Sequence, residues 1–224
     1  DSMFSYLKEE RLLFSQDGFG MHLASEERFA DELDPGVLKY EAATYFANIL
    51  LPYANLITAL LDKVKASGLD IDVIAPDHGP IWRKNLSDIL DSYRVWAEQK
   101  PTNKAIVLYD TMWHSTERMA RAVEEGLREG GARVQLMSMA AFHRSDVAYE
   151  ILDAGALVVG SPTLNNNIFP TVADVLTYLK GLRPKNLVGA AFGSYGWSGE
   201  SALQVNDILN EMKIEIAHEP VKCQ

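Results

Sequence analysis

Cysteine occurs once in 224 residues, at Cys223, so no disulfide can close within the chain, and a lone thiol suits a reducing cytoplasm. No stretch of about 18 consecutive apolar residues is present, so the sequence offers no evident membrane span. The opening residues Asp1-Ser2-Met3-Phe4-Ser5 lack the basic n-region and apolar h-region of a secretory signal. Positive charge is scarce. With 21 Lys and Arg against 31 Asp and Glu the formal charge is −10, which argues against nucleic acid as a partner, because phosphate backbones attract basic surfaces. Internal repeats and low-complexity tracts are also missing. What remains is an apolar fraction of 47%, ordinary for a globular protein, and enough length for one large domain or two small ones.

The first hundred residues mix short strands with longer helical patterns. Met3-Phe4-Ser5-Tyr6-Leu7 and Arg11-Leu12-Leu13-Phe14-Ser15 read as a hairpin, which needs a further sheet because an isolated pair of strands is only marginally stable. Asp17-Gly18-Phe19-Gly20 ends the second strand. Helical spacing runs over residues 40–66, broken at Pro52, and again over residues 85–99, where Leu86, Ile89, Leu90, Tyr93 and Trp96 recur on one face. Between them Asp72-Val73-Ile74-Ala75 reads as a strand leading into Pro76-Asp77-His78-Gly79-Pro80. Lys100-Pro101-Thr102-Asn103-Lys104 has the composition of a linker, which divides the chain into domains 1–100 and 101–224.

Beyond it strands and helices alternate. Strands fall at residues 105–109, 133–137, 156–160 and 186–192, with a fifth starting at 214–217. Helices fall at 117–130, at 145–153 with Ser145 as N-cap, at 170–180 and at 200–212. This βαβ rhythm predicts a doubly wound parallel sheet of order 2-1-3-4-5, with a ligand beyond the carboxyl ends of the strands where the order reverses. Three loops converge there: Asp110-Thr111-Met112-Trp113-His114-Ser115-Thr116, then Ser161-Pro162-Thr163-Leu164-Asn165-Asn166-Asn167, then Gly193-Ser194-Tyr195-Gly196-Trp197-Ser198-Gly199.

The first of these turns from a buried strand into a helix N-terminus through hydroxyl-rich residues, the description of a phosphate cradle. It has no Lys or Arg before Arg118, so amides, hydroxyls and the helix dipole must hold the anion. Trp113, Tyr195 and Trp197 suit the faces of a flat ring, and Gly-x-Gly-x-x-Gly is absent after the first strand, which favours a flavin mononucleotide over a dinucleotide.

Together with Leu13-Phe14-Ser15-Gln16-Asp17-Gly18-Phe19-Gly20, Pro76-Asp77-His78-Gly79-Pro80 and Glu98-Gln99-Lys100-Pro101, these motifs make the chain resemble a flavodiiron protein, the A-type flavoproteins. The resemblance implies a metallo-β-lactamase-like αββα domain with two irons, followed by a flavodoxin-like domain carrying FMN. It implies reduction of dioxygen to water or of nitric oxide to nitrous oxide, with electrons from rubredoxin or a similar donor, in a head-to-tail homodimer. It gives Asp17 as the carboxylate bridging the metals and His78 as the last histidine ligand, and no ligand role for His22, His114, His143 or His218. FMN contacts are implied at Thr111, Met112, Trp113, His114, Ser115 and Thr116, at Pro162, Thr163, Leu164, Asn165 and Asn166, and at Ser194, Tyr195, Gly196, Trp197, Ser198 and Gly199.

The family's first ligand cluster, of the type His-x-Glu-x-Asp-His, has no counterpart in these residues, nor has the histidine that precedes the bridging aspartate. The sequence therefore reads as a segment of a longer protein, starting within the metal domain and stopping before a closing helix, and two ligands alone are not expected to hold a stable diiron site. Two other classes stay open at this point. One is a flavodoxin-like FMN electron carrier without metal activity. The other is a zinc hydrolase of the metallo-β-lactamase fold.

Overall fold

The structure is a computed structural model and describes residues 3–224. The chain forms two compact units, Asp1–Glu98 and Gln99–Gln224. In the first, β1 (Ser5–Leu7) and β2 (Leu12–Gln16) pair antiparallel. The sheet that the hairpin needs is begun by β3 (Val73–Pro76), which the sequence did not reveal as its partner; it runs parallel to β2 and slips register between Phe14 and Gln16.

α1 (Pro35–Tyr45) starts at Asp34, whose Oδ1 accepts from the Gly36 and Val37 N–H groups at 2.9 and 3.0 Å, with Pro35 in the first turn. A π-helical turn, Phe46–Leu50, and a 3-10 turn at Pro52, Leu51–Tyr53, lead into α2 (Ala54–Ser67). The run Pro35–Ser67, 33 residues long, contains an 18-residue window with a mean hydropathy of 1.3, and so by length and composition alone could cross a bilayer. Counting consecutive apolar residues missed it because Thr, Asn and Tyr are interspersed. Its Ala42, Phe46, Ala47 and Leu51 are buried in this unit, and Phe46 meets Tyr93 and Trp96 of α3 (Leu86–Glu98) at ring-centroid distances of 5.1 and 5.6 Å, the place of a core helix.

The second unit is a parallel sheet. β4 (Lys104–Tyr109) lies between β5 (Arg133–Ser138) and β6 (Ala156–Leu164); β6 continues to β8 (Val188–Ser194), and β8 to β10 (Val221–Cys223). Counted from β4, this is the order 2-1-3-4-5 that the alternation of elements predicts. The fifth strand comes in two pieces, β9 (Glu215–Ile216) and β10, both parallel to β8. β4 is buried along its length, which is why it shows no polar alternation. α4 (Ser115–Glu129) covers one face through Ala120, over Val107, Tyr109, Val134, Val158 and Phe192.

Gly160 sits on that face where any Cβ would lie 2.2 Å from the Phe192 ring. Gly160→Ala is expected to cost about 1–3 kcal/mol through overpacking, read as a lower midpoint in urea at unchanged m-value.

Several local expectations are corrected. Lys104 opens β4 rather than belonging to a linker, and Thr102 and Asn103 are fastened to this unit, the Thr102 hydroxyl donating to Asp153 O at 2.8 Å. α5 (Arg144–Ile151) is capped by His143, not Ser145: His143 is extended, its Nδ1 accepts from Ser145 N–H at 3.3 Å, and Asp146 closes the box on His143 N–H at 2.8 Å. α4 begins two residues before the expected Glu117, so Ser115 and Thr116 belong to its first turn. Residues 161–164 continue β6 instead of forming a loop; Asn165 and Asn166, at φ of 48° and 61°, turn the chain back into β7 (Asn167–Ile168). The helices α6 (Pro170–Leu182) and α7 (Glu200–Glu211) follow β7 and β8.

Candidate functional site

The carboxyl ends of β4, β6 and β8 are neighbours, and the three segments singled out in the sequence leave from them. The first is fixed from below. Asp110 is buried, one carboxylate oxygen accepting from Thr111 N–H at 2.7 Å and the other from the Thr171 hydroxyl in the first turn of α6. Above it Thr111 Oγ1 is sealed from solvent and has no hydrogen-bond partner within the chain. A hydroxyl in that position costs free energy until something bonds to it. His114 enters α4 in the left-handed region, φ 65°, and its Nδ1 lies 2.8 Å from Glu117 Oε2. The Glu117 carboxyl is held below its ordinary range by that contact first and by Arg121 second. The Thr116 and Ser194 hydroxyls meet at 2.8 Å, buried, joining the first turn of α4 to the end of β8.

Arg118, one turn into α4, donates to Ser115 Oγ at 3.4 Å. The i, i+3 spacing in the sequence was the available signal.

Trp113 and Trp197 are 84% and 99% exposed, and the sequence places both rings in loops of this crevice. Each is a large apolar surface left to water, which a planar ligand would cover. The Trp197 loop is tied to β10: Tyr195 N–H donates to Cys223 O at 3.0 Å, and the Gln224 carboxamide donates to Gly196 O at 3.2 Å. On β6, Pro162 is buried, and Thr163 Oγ1 lies 2.9 Å from Ser201 Oγ, which donates to Ser161 O at 3.0 Å. Leu164 is half-buried, and Asn165 and Asn166 are exposed at the hairpin turn. Ser201, Gln204 and Gln224 are supporting residues outside the three segments read from the sequence, and Asp110, which opens the first segment, was given no supporting role there. A sealed unpartnered hydroxyl, the positive end of α4 and two uncovered indoles fit a phosphorylated ligand with a flat ring, such as FMN.

In the first unit the structure brings Asp17 and His78 together, Oδ1 to Nε2 at 3.5 Å. β2 delivers Asp17 through Gln16 at φ 53°, and the His78 carbonyl accepts from Met21 N–H at 3.2 Å. Gly79, at φ 83°, lets the chain pass within 2.8 Å of Met21 where a Cβ would stand. The Tyr45 hydroxyl donates to Asp17 Oδ1 at 3.2 Å; burial, then the Asp17 charge, pushes this phenol up to about 12. His22, given no role by the sequence, has its ring 4.8 Å from Tyr45 and 5.5 Å from His78. Among the described residues no three His, Cys, Asp or Glu side chains are grouped closely enough to hold a metal ion. Two donors of the right chemistry therefore converge, but the set does not fit a dinuclear iron centre. Near them a cavity of about 570 Å³, lined by Asp17 and by Phe4, Ile49, Tyr53, Leu56 and Tyr93, is mainly apolar.

Comparison with known proteins gives three informative matches and one family. The flavodoxin family profile matches residues 107–224. A nitric oxide reductase of Moorella thermoacetica is 50% identical over 220 residues, 98% of this chain and 55% of that protein. The solved rubredoxin oxygen:oxidoreductase of Desulfovibrio gigas superposes with a TM-score of 0.96 at 45% identity, over 100% of this chain and 56% of that one. The flavodiiron protein of Giardia intestinalis superposes with a TM-score of 0.91 at 33% identity, over 99% and 55%. The chain thus spans about half the length of the relatives it matches.

Proposed function

This chain belongs to the flavodoxin family and is kin to the flavodiiron proteins, and on that premise we propose that it is the flavin-bearing part of an oxidoreductase that moves electrons from a rubredoxin-type donor toward dioxygen or nitric oxide. The observation that carries the reading is the sealed, unpartnered Thr111 hydroxyl in the segment leading into α4, with Trp113 and Trp197 exposed on the segments that follow β4 and β8. FMN bound there supplies reversible uptake of two electrons and their release one at a time. Thr111 and Ser115 hold the phosphate together with the free N–H groups of the first turn of α4, to which Thr116 contributes its backbone, its hydroxyl being engaged with Ser194. Trp113, Tyr195 and Trp197 cover the ring. Residues 162–166 and 194–199 would supply polar groups to its edge, where exclusion of water would strengthen each hydrogen bond. Met112 and His114 shape the loop between phosphate and ring.

Asp17 and His78 are proposed as two ligands of an iron site whose other ligands do not come from the described residues, and no step of gas reduction is derived from them. A head-to-tail homodimer, each flavin serving its partner's metals, and a cytoplasmic setting complete the proposal. A second reading is an FMN electron carrier without metal activity.

The chain is expected to bind one FMN with quenched flavin fluorescence, and to retain less than one iron after anaerobic loading and desalting. Absence of saturable FMN binding at micromolar concentrations would sink the proposal. Two irons per chain would refute the claim that its ligand set is incomplete.

A further inference from the structure

The hairpin of β6 and β7 carries Leu164, Asn165 and Asn166 at the edge of the crevice, and little of its own structure holds it there. Its ladder is two residue pairs, Thr163 with Ile168 and Leu164 with Asn167, and its turn places two asparagines at positive φ. A ladder this short is marginal in water, although asparagine tolerates the left-handed turn and Asn167 Nδ2 donates across it to Asn165 O at 2.8 Å. One side chain from another element closes it. Gln204, on α7 and 36 residues from Ile168, accepts from Ile168 N–H through Oε1 at 3.1 Å and donates from Nε2 to Asn166 O at 3.1 Å. The same Nε2 reaches Asn167 Oδ1 at 3.4 Å. The carboxamide thereby takes the place of a neighbouring strand's peptide group, with donor and acceptor both matched to the hairpin backbone. At the base, Phe169 N–H donates to Ser161 Oγ at 2.9 Å, so the hairpin is pinned at both ends.

We infer that Gln204 is a positioning residue for the flavin site: it sets the direction of the Asn166 carbonyl and orders the hairpin before the ring arrives. This rests on the reading of the crevice as an FMN site. A binding edge that is already ordered spares the ligand the entropy of ordering it, whereas a frayed hairpin charges that cost to binding. The effect is confined to the ring side of the ligand, because the phosphate cradle belongs to the loop between β4 and α4.

The test compares FMN and riboflavin binding to Gln204→Leu and Gln204→Glu with binding to the unaltered chain, by fluorescence titration, alongside thermal unfolding without ligand. In Gln204→Leu both ligands are expected to weaken by the same factor, about tenfold, since riboflavin shares the ring and lacks only the phosphate. Gln204→Glu keeps an acceptor for Ile168 N–H but has no donor for Asn166 O, and should fall between the unaltered chain and Gln204→Leu. Dissociation constants within twofold of the unaltered chain in a variant that unfolds at lower temperature would overturn the inference, leaving Gln204 as a purely structural link. Weakening of FMN with riboflavin unaffected would also overturn it. If Gln204→Leu does not fold, Gln204→Glu carries the same comparison. Failure of the unaltered chain to bind either flavin overturns the FMN reading itself, a result distinct from a variant that behaves like the unaltered chain.

Discussion

Replacing Lys104 with methionine is expected to destabilise the second unit by about 3 kcal/mol. Lys104 opens β4, an interior strand, at the end of the sheet opposite the crevice, and its side chain is only 10% exposed. Its ammonium donates to Glu150 O, and lies 2.6 Å from Glu150 Oε2 and 2.6 Å from Asp153 Oδ1. All three protons are therefore used, the condition under which a buried cation is tolerated. Methionine matches the aliphatic stem but leaves two carboxylates and a carbonyl without their donor. Removing one partner of a buried ion pair costs about 3–5 kcal/mol, and the lower end applies because Asp153 is 44% exposed and keeps Arg133 at 3.3 Å. For a unit of this size the loss corresponds to a fall of about 10 °C in unfolding temperature. A change under about 1 kcal/mol would place this cluster with ordinary surface pairs.

Thr111→Val is expected to move two measurements in opposite directions. Valine has nearly the shape of threonine, and the hydroxyl it removes is buried and unpartnered, so without ligand the variant should be as stable as the unaltered chain or more stable, by up to about 1–3 kcal/mol. With ligand the same hydroxyl bonds a charged phosphate, and its loss should weaken FMN by about 1.5–3 kcal/mol, roughly 10- to 150-fold. Riboflavin, lacking the phosphate, should be unaffected. Calorimetry without ligand and titration with each flavin read the three quantities. A variant that loses stability while binding FMN normally would show that Thr111 is a packing residue and that the cradle lies elsewhere.

Much of the second unit was legible because its signals are local. The apolar residues 105–109 announce a strand covered on both faces, the spacing of Met119, Ala120, Val123 and Leu127 a helix face, and their alternation a parallel sheet with its crevice at the carboxyl ends. The errors fell where tertiary contacts outweigh local preference. Ser145 is a better N-cap than histidine by propensity, yet His143 holds the extended conformation and Asp146 closes the box on it. Residues 161–164 look like a polar loop, but β8 pairs with β6 as far as Pro162, and Gln204 holds the hairpin beyond it.

The first unit was less legible for the same reason. β3 lies far along the chain from the strand it joins, and periodicity carries no information about such partners. Folding also sets the His22 ring against Tyr45 and His78, a contact between residues remote in the chain.

The sequence by itself determined the order of strands and helices, the three segments that meet at the crevice, and the chemistry those segments offer, because hydrophobic period and residue type are properties of short stretches. Only the tertiary structure decided which of those groups are satisfied. The sealed Thr111 hydroxyl, the Gln204 clamp, the buried Lys104 and the pairing of Asp17 with His78 all depend on distances between residues remote in the chain, and those distances exist only once the hydrophobic cores have packed.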